Sequence, residues 1–193
     1  VFSYKGGVVS DTGINLLAYS EMYGVTVSAG DIDGDGIAEV VTVPGGGGKA
    51  SVRIWKADVS GGMGGWKMSD AGGFPAGVSA IGPDVSVADF NGDAVEEIVV
   101  ARVPSATDGT ATIAVFGADG TKSFEFVVSA KGGIDITAGD TDMDGIAEIV
   151  VGEGTDTESP SSVRIYKNAT LGKEFLAFNS LDIYGVRVSL GRV

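Results

Sequence analysis

The stretch that decides the fold is "SAGDIDGDGIAEVV", residues 28–41, in which four acidic side chains come directly before a pair of valines. These acids are Asp31, Asp33, Asp35 and Glu39. Carboxylates crowded this closely repel one another, and the whole chain already carries a formal net charge of −13. A bound cation would offset this repulsion, and the rest of the sequence tests that interpretation.

The acidic pattern occurs three times along the chain. Its copies are "AGDIDGDGIAEVV" (29–41), "VADFNGDAVEEIVV" (87–100) and "AGDTDMDGIAEIVV" (138–151). Each is followed by a second shared pattern: "SVRIWK" (51–56), "TIAVFG" (112–117) and "SVRIYK" (162–167). Repeats of about 50 residues built from short β segments are typical of propeller blades or a related β array.

The local patterns between these landmarks predict strands and no helix. "GVTVSA" (24–29) alternates as a half-buried strand does, "EVVTV" (39–43) is apolar enough to be buried on both faces, and "KEFLAFN" (173–179) is a more polar final strand. The chain also holds 32 glycines, and valine and isoleucine outnumber leucine. We therefore expect an all-β, β-propeller-type array of four-stranded antiparallel blades.

The repeats also predict how the chain is divided. "VFSYK" (1–5) aligns with "VRIWK" (52–56), and residues 176–191 resemble residues 17–30. The predicted units are a partial first blade with the first strand of the next (1–30), repeats at 24–83, 84–133 and 134–183, and the first strand of a further blade (184–193). This makes about 3.5 blades, whereas a closed propeller has about 4–8. We expect a piece of a longer chain, or an array that a partner completes by pairing with its terminal strands.

Each acidic loop offers oxygen ligands at fixed positions, counted from its first aspartate. Side chains supply oxygen at positions 1, 3, 5 and 9, and an apolar residue at position 7 supplies its carbonyl. The predicted ligands are Asp31, Asp33, Asp35, Ile37 and Glu39; Asp89, Asn91, Asp93, Val95 and Glu97; and Asp140, Asp142, Asp144, Ile146 and Glu148. A flexible shell of oxygens with several carboxylates suits Ca²⁺, and the chain has no His or Cys for softer metals.

The sequence therefore predicts three calcium sites, of which the middle one is the weakest. Asn91 removes a charge there, and Ala94 stands at position 6, where the other loops have Gly36 and Gly145. Alanine is strained there if the position requires a positive φ. The alternative interpretation is three acidic surface turns without a metal, because Asp and Gly dominate turns. The same pattern in three loops favours the metal.

The loop has an acid at position 9 and is followed by an apolar strand. In this it resembles the FG-GAP/VCBS repeats of integrin-α-type β-propellers. The resemblance implies four-stranded blades with Ca²⁺ at the hairpin between a blade's first two strands. Family members include adhesion proteins, lectins and domains of secreted polysaccharide-degrading enzymes. The chain is thus expected to be a calcium-stabilised, non-catalytic structural or adhesion module, extracellular or on the cell surface. The alternative is a carbohydrate-binding or catalytic propeller domain of a secreted polysaccharide-active enzyme.

Charge and hydropathy narrow the expected partners. An acidic chain lacks the clustered Lys and Arg that nucleic acids require, and no apolar stretch is long enough for a transmembrane helix. The remaining candidate partners are proteins, by self-association or through neighbouring repeats, and carbohydrate.

Three further stretches carry predictions of their own. The long segment 60–84 either lines a ligand surface with Met63, Trp66, Met68 and Phe74 or is a loop without function. "PGGGGKAS" (44–51) is expected to form a hairpin, and "NAT" (168–170) is a glycosylation sequon expected at a hairpin tip.

Overall fold

The computed structural model describes residues 2–5, 8–11, 15–20, 23–58, 67–155 and 161–191. In these residues the secondary structure consists of fourteen strands, and no helix is present. The strands are β1 (Phe2–Lys5), β2 (Val8–Asp11), β3 (Val25–Gly30), β4 (Glu39–Pro44), β5 (Gly48–Asp58), β6 (Lys67–Ser79), β7 (Asp84–Ala88), β8 (Glu97–Arg102), β9 (Thr110–Phe116), β10 (Lys122–Ser129), β11 (Ile134–Gly139), β12 (Glu148–Glu153), β13 (Ser162–Lys167) and β14 (Thr170–Leu176). The described part of the chain contains no helix long and apolar enough to cross a membrane.

The strands form one hairpin and three four-stranded antiparallel sheets. β1 pairs with β2, and the first, second and third sheets hold β3–β6, β7–β10 and β11–β14, each in sequential order. The all-β prediction is confirmed. Burial follows the sequence patterns, since the continuous apolar strands β8 and β12 are almost wholly buried while β14, at the edge of its sheet, is exposed along its length.

The sheets pack against one another through two apolar clusters. One cluster joins the first and second sheets, with the ring centroids of Phe74 and Phe116 5.0 Å apart. The other joins the second and third sheets, with Phe126 and Tyr166 also at 5.0 Å. The first strands of the sheets are neighbours, because β3 lies against β7 and β7 against β11. This arrangement places the three acidic loops along one edge of the structure.

Within the long segment 60–84, the described residues 67–79 form a strand, so the prediction of a loop is wrong for this part. Residues 67–79 form β6 and pair with β5 across two shifts of register. Positive φ angles at Gly72 and Gly77 allow the strand to follow these shifts. Phe74 is buried in the core and cannot line a ligand surface, while Met68 is half-buried. Met63 and Trp66 lie outside the described residues.

The predicted strand at 184–193 differs as well, because residues 184–191 belong to no sheet. Instead this segment lies on the third sheet. The Val188 N–H donates to the Asp135 carboxylate at 2.7 Å, and the Val186 N–H donates to the Glu153 carbonyl at 2.8 Å. With no neighbouring strand to complete a ladder among the described residues, the backbone takes these partners instead.

Two predicted hairpins are confirmed. Residues 45–47 connect β4 to β5, and Asn168 and Ala169 connect β13 to β14 with φ of 47° and 64°. Asparagine tolerates this left-handed conformation better than most residues, which suits it to a two-residue turn. The sequon at 168–170 therefore lies at an exposed hairpin tip.

Candidate metal centres

The three acidic loops connect the first and second strands of their sheets and lie side by side. The Glu96 N–H donates to the Asp31 carbonyl at 3.0 Å, and the Ala147 N–H donates to the Asp89 carbonyl at 2.8 Å. The Glu96 carboxylate in turn accepts from the Asp31 N–H at 2.8 Å. Gly30 leaves room for that carboxylate, because a Cβ at this position would collide with it. Each loop is therefore held by its neighbour as well as by its own strands.

The aspartate at position 1 organises each loop by accepting backbone hydrogen bonds. Asp31 accepts from the N–H groups of Gly34 and Gly36, each at 2.8 Å, and Asp35 at 3.1 Å. Asp89 and Asp140 do the same in the other loops. Burial alone would raise the pKa of Asp89, but the N–H groups around it outweigh that effect and lower the pKa. These N–H groups therefore favour the ionised form of Asp89, and the equivalent hydrogen bonds hold the Asp31 and Asp140 carboxylates in place.

These turns require positive φ at positions 4 and 6. Gly34 and Gly36 adopt φ of 74° and 84°, as glycine does readily. The expected positive φ at Ala94 is confirmed, at 67°. Sequence reasoning missed Met143, which stands at position 4 of the third loop with φ 61°. Both the middle and third loops thus hold one residue in a conformation that favours glycine.

The glutamate at position 9 is buried in every loop and fastens the loop to the second strand. Its Oε2 accepts the N–H of position 2, at 3.2 Å from Ile32 to Glu39, 2.8 Å from Phe90 to Glu97 and 2.8 Å from Thr141 to Glu148. Burial raises the pKa of Glu39 and of Glu97. Burial acts in the same direction on Glu148, but the adjacent Lys167 ammonium and the hydrogen bonds from Thr141 outweigh it and leave the pKa of Glu148 lowered.

The second carboxylate oxygen of each glutamate faces its loop, and its partner differs from one loop to the next. Glu39 Oε1 is buried without a hydrogen-bond partner. Glu97 Oε1 accepts from the Asn91 side chain at 2.6 Å. Glu148 Oε1 lies 2.8 Å from Lys167 Nζ, although it receives no well-aligned hydrogen bond. A buried polar atom without a hydrogen-bond partner is costly, so a cation held beside Glu39 Oε1 would stabilise the first loop.

Sequence reasoning missed two lysines that lie at the loops. Lys56 Nζ hydrogen-bonds Asp33 and lies 2.6 Å from Asp35 and 3.9 Å from Glu39. Hydrogen bonds to Asp33 and then to Asp35 raise the pKa of Lys56. The signal was present in the second shared pattern, which ends in Lys in two copies and in Gly in the middle one.

Lys167 occupies the same place in the third loop. Its Nζ lies 3.0 Å from Asp142, 2.5 Å from Asp144 and 2.8 Å from Glu148. Its hydrogen bond lowers the pKa of Asp144. Both lysines therefore stay charged and offset part of the negative charge of these two loops.

The structure brings the predicted ligands together to different degrees. Carboxylate oxygens converge to within 4.8 Å of one another in two groups, Asp31 with Asp33 and Glu39, and Asp140 with Asp142 and Glu148. The position-7 side chains, Ile37, Val95 and Ile146, are only half-buried. Their N–H groups donate to the position-5 carboxylates at 2.9, 2.8 and 3.0 Å. In the first two loops the apolar side chain at position 2, Ile32 or Phe90, is buried and anchors the loop in the core.

This donor set fits a hard divalent cation. It consists of oxygen atoms, several of them from carboxylates, and in the first loop the buried Glu39 Oε1 accepts no hydrogen bond. The chemistry suits calcium without being specific to it. Neither a comparison with protein-family models nor one with curated protein sequences finds a match for this chain.

Proposed function

We propose that the chain is a calcium-binding, non-catalytic β-repeat module of the FG-GAP/VCBS type. The observation that carries the proposal is the buried Glu39, which has one oxygen without a hydrogen-bond partner and offers a carboxylate oxygen within 4.8 Å of oxygens of Asp31 and Asp33. Its counterpart Glu148 converges in the same way with Asp140 and Asp142. A calcium ion would take ligands from positions 1, 3, 5 and 9 of each loop and from the position-7 carbonyl. Bound there, it neutralises the carboxylates and ties the first strand of a sheet to the second.

A propeller-type arrangement of blades is part of the same proposal. Three sequential four-stranded sheets with neighbouring first strands support it. Residues 184–191 support a further blade, because the Asp135 carboxylate accepts the Val188 N–H as the Asp84 carboxylate accepts the Ile136 N–H, at 2.8 Å. The unit boundaries expected from the sequence belong to this proposal.

The proposed setting is extracellular or on the cell surface, with structure and adhesion as the role. Extracellular calcium is abundant enough to fill weak sites, and modules there bind with dissociation constants of about 10⁻⁴–10⁻³ M. Self-association or neighbouring repeats are the proposed partners. The carbohydrate-active alternative loses one of its candidate aromatic residues, because Phe74 is buried.

Calcium titration with two ligand variants tests the proposal. Asp35→Ala and Asp144→Ala each remove one predicted ligand, and Asp108→Ala, on an exposed turn, is the matched control. We expect calorimetric binding of calcium by the wild type and a rise in its melting temperature. Both ligand variants should lower the melting temperature in calcium and have much less effect in EDTA. A wild type that shows neither heat nor thermal shift would refute calcium binding.

A further inference from the structure

Two of the three acidic loops hold an ammonium group among their carboxylates. Lys56 contacts Asp33 and Asp35 in the first loop, and Lys167 contacts Asp142 and Asp144 in the third. Asp33 and Asp142 also belong to the converging oxygen groups of those loops. The lysines are thus directed at oxygens that a divalent cation would take.

Strand register explains why only these two loops have a lysine. In each sheet, the residue after the position-9 glutamate pairs with an aromatic residue on the third strand. The residue that follows this aromatic residue in the chain therefore lies beside the loop. It is Lys56 in the first sheet, Gly117 in the second and Lys167 in the third.

The middle loop differs from the other two. It has one carboxylate fewer, and the Asn91 amide donates to Glu97 Oε1 at 2.6 Å, where Lys167 approaches Glu148 in the third loop. An amide carries no charge, so this contact satisfies one oxygen without offsetting the charges of Asp89 and Asp93.

We propose that Lys56 and Lys167 are tethered counter-cations that compete with a divalent cation for the loops at 31–39 and 140–148. The inference rests on the proposed calcium binding and specifies how it is regulated. An ammonium and a metal ion cannot share the same carboxylate oxygens, so a divalent cation enters only when the lysine swings out. With the side chains 35% and 29% exposed, both lysines have water to swing into. When calcium is scarce, each lysine offsets part of the negative charge of its loop.

Charge-removing variants of the full chain test the competition with calcium as the probe. Lys56→Gln, Lys167→Gln and the double variant keep most of the side-chain stem, and Lys49→Gln, on an exposed position of β5, removes the same charge elsewhere. We expect calorimetry to show up to about fivefold tighter binding at one site in each single variant and at two in the double variant, which is the upper end of what displacing an exposed ion pair costs. Lys49→Gln should bind as the wild type does. In EDTA, the lysine variants should melt below Lys49→Gln.

The reciprocal variant places a lysine at the middle loop. Gly117→Lys should weaken calcium binding at that site, provided that circular dichroism shows an intact fold. A Cβ there would lie 3.2 Å from the Asp119 side chain, which is close enough to require a small shift. Weaker binding at one site in this variant, with the other two unchanged, would support competition by a tethered ammonium.

The outcomes separate the inference from the proposed function. If the wild type binds calcium and the lysine variants bind it with unchanged or weaker affinity, the competition is refuted and calcium binding stands. If only the double variant binds calcium, the competition stands, and the wild-type chain is not a calcium module at these two loops. If neither the wild type nor the double variant binds calcium, the competition and the proposed calcium binding at these loops are both refuted.

Discussion

Two non-glycine residues in the acidic loops adopt backbone conformations that favour glycine. Ala94 and Met143 have φ of 67° and 61°, at positions 6 and 4 of their loops. Both side chains are exposed, so packing does not compensate for the strain. Such a residue costs on the order of 1 kcal/mol of folding stability. It also lowers the affinity for a bound ion where the empty loop relaxes out of this conformation.

Ala94→Gly should therefore stabilise the chain and tighten the middle calcium site. We expect the free energy of unfolding in calcium to rise by up to about 1 kcal/mol, because glycine relieves the strain at positive φ. Urea denaturation and calcium calorimetry measure the two effects. Ala38→Gly, at an exposed position without positive φ, is the control and should be destabilising. Equal losses in the two variants would show that Ala94 is not strained.

At the scale of the element, the packing of β6 on β9 joins the first and second sheets. Phe74 on β6 is 8% exposed, and its ring packs on that of Phe116 on β9. Phe74→Ala should lower the free energy of unfolding by about 3–5 kcal/mol, the range for removing a buried ring. Val78→Ala, on the same strand at 56% exposure, should change it by less than about 0.5 kcal/mol. Similar small losses for both, measured by urea denaturation, would show that the two sheets do not depend on this contact.

The stability that comes from the contact between β7 and β11 is expected to depend on pH. The Asp84 carboxylate accepts the N–H groups of Ile136 and Val85, and burial, with a smaller effect of Asp135, raises its pKa despite these bonds and the nearby Arg187. The folded chain therefore binds the Asp84 proton more tightly than the unfolded chain does. The resulting stability is complete below the ordinary aspartate pKa and is lost as the pH rises through the folded value.

Asp84→Asn removes this titration. We expect the stability of the wild type relative to the variant to rise as the pH falls from 7 towards 4, measured by urea denaturation in a constant calcium concentration. Using the difference between the two proteins cancels the titration of the other carboxylates, which both chains share. A difference that stays constant, or that falls with falling pH, would contradict the raised pKa.

At the scale of the whole molecule, one face of β3 is exposed where the corresponding faces of β7 and β11 are covered. Four residues before the first acid of each loop stand Val27, Val85 and Ile136, which are 58%, 4% and 5% exposed. In β7 and β11 that position lies within the apolar clusters that join neighbouring sheets. The exposed face of β3 is thus suited to another sheet of the same kind, in keeping with the proposed self-association.

We expect the chain to self-associate in a concentration-dependent way, and Val27→Lys to weaken the association by placing a charge on this face. Sedimentation velocity over a concentration series measures it. Val127→Lys is the matched control, because Val127 on β10 is 65% exposed outside this face. A wild-type chain that is monomeric at every concentration, or equal effects of both variants, would contradict the role of β3.

Much of the fold and of the candidate site follows from local sequence. Continuous runs such as Glu97–Arg102 mark buried strands, and paired Asp and Gly residues mark the loops between them, because strand burial and turn geometry depend on a few consecutive residues. The positive φ at Ala94 was predictable for the same reason. The sequence by itself thus determined the all-β class, the three acidic loops and the oxygen chemistry that they offer.

Tertiary structure alone decided what completes each loop and what covers each strand. Lys56 reaches Asp33 from 23 residues away, because pairing of β4 with β5 brings the end of the third strand to the loop. Residues 67–79 became a strand because β5 offered an open edge, and residues 184–191 remained outside the sheets. These outcomes depend on register and on packing between sheets, which set the distances between residues far apart in the chain. The repeated lysine is visible when the repeats are aligned, but its contact with the loop follows only from the strand pairing.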